Sequence, residues 1–132
     1  VRELVSNLGL AGNVKLHGFV QHQELMASMA TSDVVCFPSL YEACPLGMIE
    51  AMALGKPVVT FHRSFSKELL GDIAELPLAE SIEDYAKHLY ALCTSEDLRR
   101  KIGGSLRSRA RKKFDIKMIA NKYSGLYEHL LS

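Results

Sequence analysis

Cysteine is scarce in this chain of 132 residues: Cys36, Cys44 and Cys93 stand far apart, with no pair at C-x-x-C spacing. An odd, scattered set supports neither a disulfide framework nor a zinc knuckle, so a reducing, cytoplasmic setting is expected. No apolar run approaches the ~18 residues of a membrane-spanning helix, and no Gly-rich period or Pro/Gly/Ser tract is present. Transmembrane, collagen-like and low-complexity classes are thereby excluded. The five histidines are scattered without H-E-x-x-H or another metal spacing, and of them only His62, just past a strand end, stands where chemistry is expected. There is no Gly-x-Gly-x-x-Gly to mark a dinucleotide oxidoreductase. The chain opens Val-Arg-Glu-Leu, without an initiator methionine and without the basic and then apolar pattern of a secretory signal.

What is present is the composition of one globular domain over 1–132, 48% hydrophobic and 23% charged, long enough to bury roughly two thirds of its unfolded surface. Apolar runs and alternations predict strands over 14–17, 34–37 and 57–61, with a further short one over 74–78. Helical periodicity is expected over 2–8, 23–29, 45–54, 81–93, 96–112 and 115–131, the last closing the domain over 114–132. Pro45 is placed at the first position of its helix and Gly55 just past its end. Gly103-Gly104-Ser105 reads as a kink, since two glycines cost about 2 kcal/mol inside a helix. Alternating strands and helices imply a doubly wound parallel α/β sheet, which binds ligands outside the carboxyl ends of its strands.

Charge is unevenly placed. The whole chain is net +1, yet the segment 99–113 holds Arg99, Arg100, Lys101, Arg107, Arg109, Arg111, Lys112 and Lys113 and no acid. Either this is the solvated face of a packed helix, as Leu98, Ile102, Leu106 and Ala110 at every fourth position suggest, or it attracts an anionic membrane or nucleic acid. No aromatics are interleaved for base stacking, which argues against nucleic acid.

The stretch from Phe37 to Val59 carries the chemistry: a buried strand, a loop with Glu42, then a helix with Leu46 and Gly47 in its first turn and Glu50 in its second. Unpaired amides at a helix start attract phosphate, and Gly47 has no side chain to bar a ligand. Carboxylates accept hydrogen bonds from vicinal hydroxyls. A nucleotide sugar fits: diphosphate over the amides, sugar toward Glu42, ribose toward Glu50.

Pro38-Ser39, two glutamates with seven residues between them, and Glu50-Ala51-Met52-Ala53-Leu54-Gly55-Lys56-Pro57-Val58-Val59 resemble the donor-site signature of retaining glycosyltransferases of the GT-B fold, family four (glycosyl transferases group 1). The resemblance implies that the chain is the C-terminal, donor-binding half of such an enzyme, a partial Rossmann-like domain. It would move a hexosyl group with retention from a UDP-, GDP- or ADP-sugar to a glycan or lipid-linked acceptor. It would do so with no essential metal and no cofactor, consistent with the absence of an Asp-x-Asp pair to hold a divalent ion across a diphosphate. It implies Glu42 as the catalytic residue beside the transferred sugar. Cys44, Pro45, Leu46 and Gly47 would meet sugar and phosphate, Glu50 the ribose, and Val20 the nucleobase. Cys44 and Gly47 depart from the bulkier residues frequent in the family, which bears on donor preference. It further implies that an acceptor domain and a basic phosphate-binding strand lie outside this chain, so that the fragment alone is inactive, and that two family strands between 14–17 and 34–37 are missing. The rival expectation is a non-catalytic nucleotide-sugar-binding or interaction module, docked on the inner face of an anionic membrane through 99–113; no nucleic acid partner is expected.

Overall fold

The computed structural model describes residues 1–73 and 76–131. Seven helices and three strands alternate among them: α1 (Arg2–Asn7), α2 (His22–Thr31), β1 (Val35–Phe37), α3 (Leu46–Ala53), β2 (Val58–Phe61), α4 (Ser64–Leu70), β3 (Leu78–Ala79), α5 (Ile82–Thr94), α6 (Glu96–Lys113) and α7 (Ile116–Leu131). The strands form one parallel sheet in the order β1-β2-β3. Val35 faces Val58 and Phe37 faces Thr60 across the first pair, and Phe61 faces Ala79 across the second. This is the parallel α/β arrangement the alternation predicts.

β2 is central and its Val58, Val59 and Thr60 are fully buried, which is why it reads as a continuous apolar run. Met48, Ala51 and Met52 of α3 join Ile102, Leu106 and Ala110 of α6 in the same core, with Leu92 from α5 and Phe65, Leu69 and Leu70 from α4. The helix ends follow local rules. Ser81 and Ser95 accept from the amides of Asp84 and Leu98 as N-caps. After α3 the chain turns at Gly55 with φ +74°, and the amides of Gly55 and Lys56 return to the carbonyls of Met52 and Ala51. That is the paired hydrogen bonding of a Schellman end.

Four expectations are corrected. The segment 14–17 is not a strand: the amides of Asn13 and Val14 turn back to Leu10 O, and Val14 and Leu16 remain exposed. Alternation alone does not make a strand where no neighbour takes its backbone groups, and β1, the nearest edge in the sheet, pairs only with β2. The expected strand over 74–78 is observed as Leu78–Ala79, with positions 74 and 75 outside the described residues. Pro45 is the N-cap of α3 rather than its first helical residue. Helix α6 runs unbroken through Gly103 and Gly104. A Cβ on Gly103 would lie 2.1 Å from Gly55 O, so the glycine is there to let the α6 backbone rest on the turn after α3.

Helix α4 was not expected. Ser66 anchors its start, accepting from Arg63 N–H at 2.9 Å and lying 2.8 Å from Phe61 O, to which it donates. Its end is held by Arg109, whose Nε and Nη2 donate to Leu69 O and Glu68 O at 2.6 and 2.8 Å. The available signals were Phe65 and Leu69 four apart and Gly71 just beyond.

Candidate functional site

The carboxyl ends of β1 and β2 are adjacent, since Phe37 and Thr60 are partners. From Phe37 the chain enters an irregular loop that carries Glu42 and Cys44, both exposed, and then starts α3 at Leu46. Pro45 offers no side-chain acceptor, so the amides of Leu46 and Gly47 at the start of α3 are left without a partner among the described residues, while the Met48 amide returns to Pro45 O at 2.9 Å. Gly47 faces inward: a Cβ there would meet the Phe37 ring at 3.5 Å, an ordinary contact. The fold therefore accepts a methyl at 47, and the glycine is not dictated by packing.

Glu50 lies on the next turn of α3 with its side chain 31% exposed, and its Oε1 is 3.6 Å from Nε2 of His22. His22 opens α2, two residues after the half-buried Val20. The tertiary fold thus brings the start of α2, two residues past Val20, against Glu50, although twenty-eight residues separate His22 from it. Glu42 makes no hydrogen bond or ion pair among the described residues. Tyr41 and Leu46 beside it are exposed at 91% and 67%, so this mouth is an open ledge and not an enclosed cavity.

Two features at the same edge escaped sequence reasoning. Nδ1 of His62, just past β2, lies 2.6 Å from Glu80 Oε1, just past β3. His62 is flagged by its place after a strand, but Glu80 could be found only once β3 was placed. Behind the sheet, Tyr85 donates to Val59 O at 3.0 Å and its ring lies 5.1 Å from that of Phe61. Burial first, then the neighbouring Cys36, raises the Tyr85 hydroxyl above its ordinary range; desolvation likewise raises the Cys36 thiol, with the nearby Tyr85 hydroxyl acting in the opposite sense.

Among the described residues, no group of three or more His, Cys, Asp or Glu is placed to hold a metal ion, and no helix is long and apolar enough to cross a membrane.

Comparison with known proteins gives a consistent set of relatives. The family model described as Glycosyl transferases group 1 matches residues 1–109. The chain is 29% identical over 133 aligned positions to the MMP alpha-(1->4)-mannosyltransferase of Mycolicibacterium hassiacum, covering 98% of this chain and 32% of that protein. It resembles the structure of sucrose-phosphate synthase from Thermosynechococcus elongatus with a TM-score of 0.86 at 26% identity, over 98% of this chain and 33% of the other. It also resembles Anabaena Alr3699/HepE in complex with UDP and glucose, with a TM-score of 0.83 at 22% identity, over 97% and 35%. The chain spans about a third of the length of each.

Proposed function

We propose, from the premise that this chain belongs to the glycosyl transferases group 1 family, that it forms the donor side of a hexosyltransferase acting on a nucleoside-diphosphate sugar. The observation that carries the reading is the meeting of three elements at one sheet edge. The uncapped start of α3 and the carboxylate of Glu50 share one helix, and the 3.6 Å approach of His22 to Glu50 sets the start of α2 beside them.

In this reading the diphosphate lies over the first-turn amides of α3, where backbone N–H groups and the helix dipole favour negative charge. As the bond from the anomeric carbon to the phosphate oxygen breaks, the charge developing on the leaving diphosphate is held by those amides, which need no reorganisation. Glu50 accepts from the ribose hydroxyls and Val20 borders the base. Glu42, on an exposed loop with nothing to neutralise it, faces the sugar and acts catalytically there, with retention at the anomeric carbon. Cys44, Pro45, Leu46 and Gly47 border sugar and phosphate. The acceptor, a glycan or lipid-linked sugar, and the cations opposing the diphosphate come from parts of the enzyme beyond these 132 residues. The chain alone binds donor weakly and does not turn it over. The relatives' printed names, a mannosyltransferase, a sucrose-phosphate synthase and a protein of the same fold in complex with UDP and glucose, support a hexosyl donor.

Calorimetric titration with UDP-, GDP- and ADP-hexoses tests this. One donor is expected to bind measurably, with Glu50→Ala weakening it at least ~tenfold, the worth of a charged hydrogen bond. Unchanged affinity in Glu50→Ala, or robust transfer by the chain alone, overturns the assignment. In the full-length enzyme Glu42→Ala is expected to abolish transfer while donor still binds. Retained transfer removes Glu42 from catalysis, and absence of transfer in the parent enzyme supports the rival reading as a binding module.

A further inference from the structure

We propose that the solvent face of α6 docks on the anionic surface of a lipid bilayer, gripping phosphate headgroups. The proposal stands apart from the donor site and would survive its failure. It begins with which cations are already committed. Arg109 is spent on the carbonyls that end α4. Arg99 donates to Leu92 O and approaches Asp33, and Arg100 pairs with Glu96. Arg107, Arg111, Lys112 and Lys113 are exposed and make no hydrogen bond or ion pair among the described residues.

Three of the four share a face, while Lys113 stands about 160° round the helix from Arg111. At 100° per residue, Arg107 and Arg111 form one i, i+4 row of α6 and Gly104, Ser108 and Lys112 form the next, where the small Gly104 and Ser108 leave a valley beside the two arginines. The valley is a shallow depression of about 270 Å³ lined by Gly104, Arg107, Ser108, Arg111 and Lys112. A second depression of about 390 Å³ shares Ser108 and Lys112 and adds Ser105, Lys113 and, on its far wall, Asp72. Each hollow pairs a hydroxyl with cations, the donor set a phosphate monoanion wants.

Helix chemistry alone does not account for this face. Cations in the last turn complement the helix dipole, which serves Arg111, Lys112 and Lys113, but Arg107 lies two turns from that end. Gly103 is required by its contact with Gly55, whereas a Cβ at Gly104 would meet nothing within 4 Å. Gly104 costs the helix about 1 kcal/mol relative to Ala with no packing return, and it deepens the valley. The first acid beyond the face, Asp115, is turned into the start of α7, accepting from the amides of Lys117 and Met118.

The shape selects the partner. The face is convex, open and without aromatics, so it offers no stacking platform for bases and no enclosure for a small soluble phosphate. A row of cations over the last two turns of α6, about 9 Å, instead matches a plane of headgroups, for which clustered Lys and Arg on a helix are the usual ligands. The chain as a whole is only +1, so the attraction is local and orients it with α6 toward the lipid.

Co-sedimentation with vesicles of phosphatidylglycerol and phosphatidylcholine tests the proposal. Binding is expected to phosphatidylglycerol-containing vesicles at ~0.1 M salt and to be largely lost near ~1 M, where the screening length falls to about 3 Å. Arg111→Glu/Lys112→Glu is expected to lower it at least ~tenfold with unchanged circular dichroism and melting. The charge-matched control Lys15→Glu/Lys122→Glu should bind as the parent does. Equal binding to pure phosphatidylcholine, equal loss in the control, or full displacement by an oligonucleotide or by pyrophosphate at matched phosphate concentration would each overturn it.

Discussion

Helices α3 and α7 are both amphipathic, yet the first buries Met48, Ala51 and Met52 completely within eight residues, while the second buries nothing in sixteen. Tyr123, Leu126, Tyr127 and Leu130 of α7 stay at 49% to 69% exposed, and α1 likewise contributes no buried residue. The difference is one of partners, not of propensity. α3 is bounded by β1 and β2 in sequence and rests on α6 in space, so its apolar face has a surface to meet. Burial around α3 is therefore the stabilising part of this chain. The apolar stripe of α7 contributes little while no partner covers it.

That contrast is open to attack by substitution, and the harshest cut falls in the packed part. Gly103→Ala drives a methyl group into Gly55 O, which cannot yield without moving the end of α3. A loss of at least ~3 kcal/mol is expected, measured by urea unfolding. The neighbouring Gly104→Ala, with nothing within 4 Å, should instead stabilise by up to ~1 kcal/mol.

Tyr85→Phe is the intermediate case. It removes the hydrogen bond to Val59 O and is expected to cost ~1 kcal/mol at neutral pH. It should also change the alkaline limb. Burial, with Cys36 beside it, holds the Tyr85 proton above the ordinary value of 10.0, so the folded form binds more protons than the unfolded one. Its contribution is complete below pH 10 and is lost as pH climbs through the raised folded value. Stability of the parent chain should fall more steeply above pH 10 than that of Tyr85→Phe, as read from melting temperatures across that range.

The smallest effect belongs to the unpacked part. Leu126→Ser, at a position 49% exposed on α7, should move stability by less than ~0.5 kcal/mol. A loss above 1 kcal/mol would mean that α7 is covered in solution, and the contrast with α3 would dissolve.

How much of this was legible in the residues depends on range. β2 and the Gly55 turn follow from side chains within a few positions, and both stand where the sequence reading placed them. α4 was not legible, because its start depends on Ser66 reaching back to Phe61 O and its end on Arg109, forty residues away. The alternation at 14–17 was real, but strandhood belongs to a pair of segments and this one has no partner. The two glycines of α6 look identical locally, and only the fold tells the one that must be small from the one that need not be. At the candidate site, the Glu42 loop and the helix behind it could be read directly. The approach of His22 to Glu50, and the His62–Glu80 pair, required strand order.

The seat of Gly103 on Gly55 is a joint between two main chains, and main chains have no rotamers with which to give. Helix α6 therefore cannot slide or tilt by even an ångström without carrying the knuckle that ends α3. Any change that lifts α6 off Gly55 would be felt first at the end of the helix that holds Glu50.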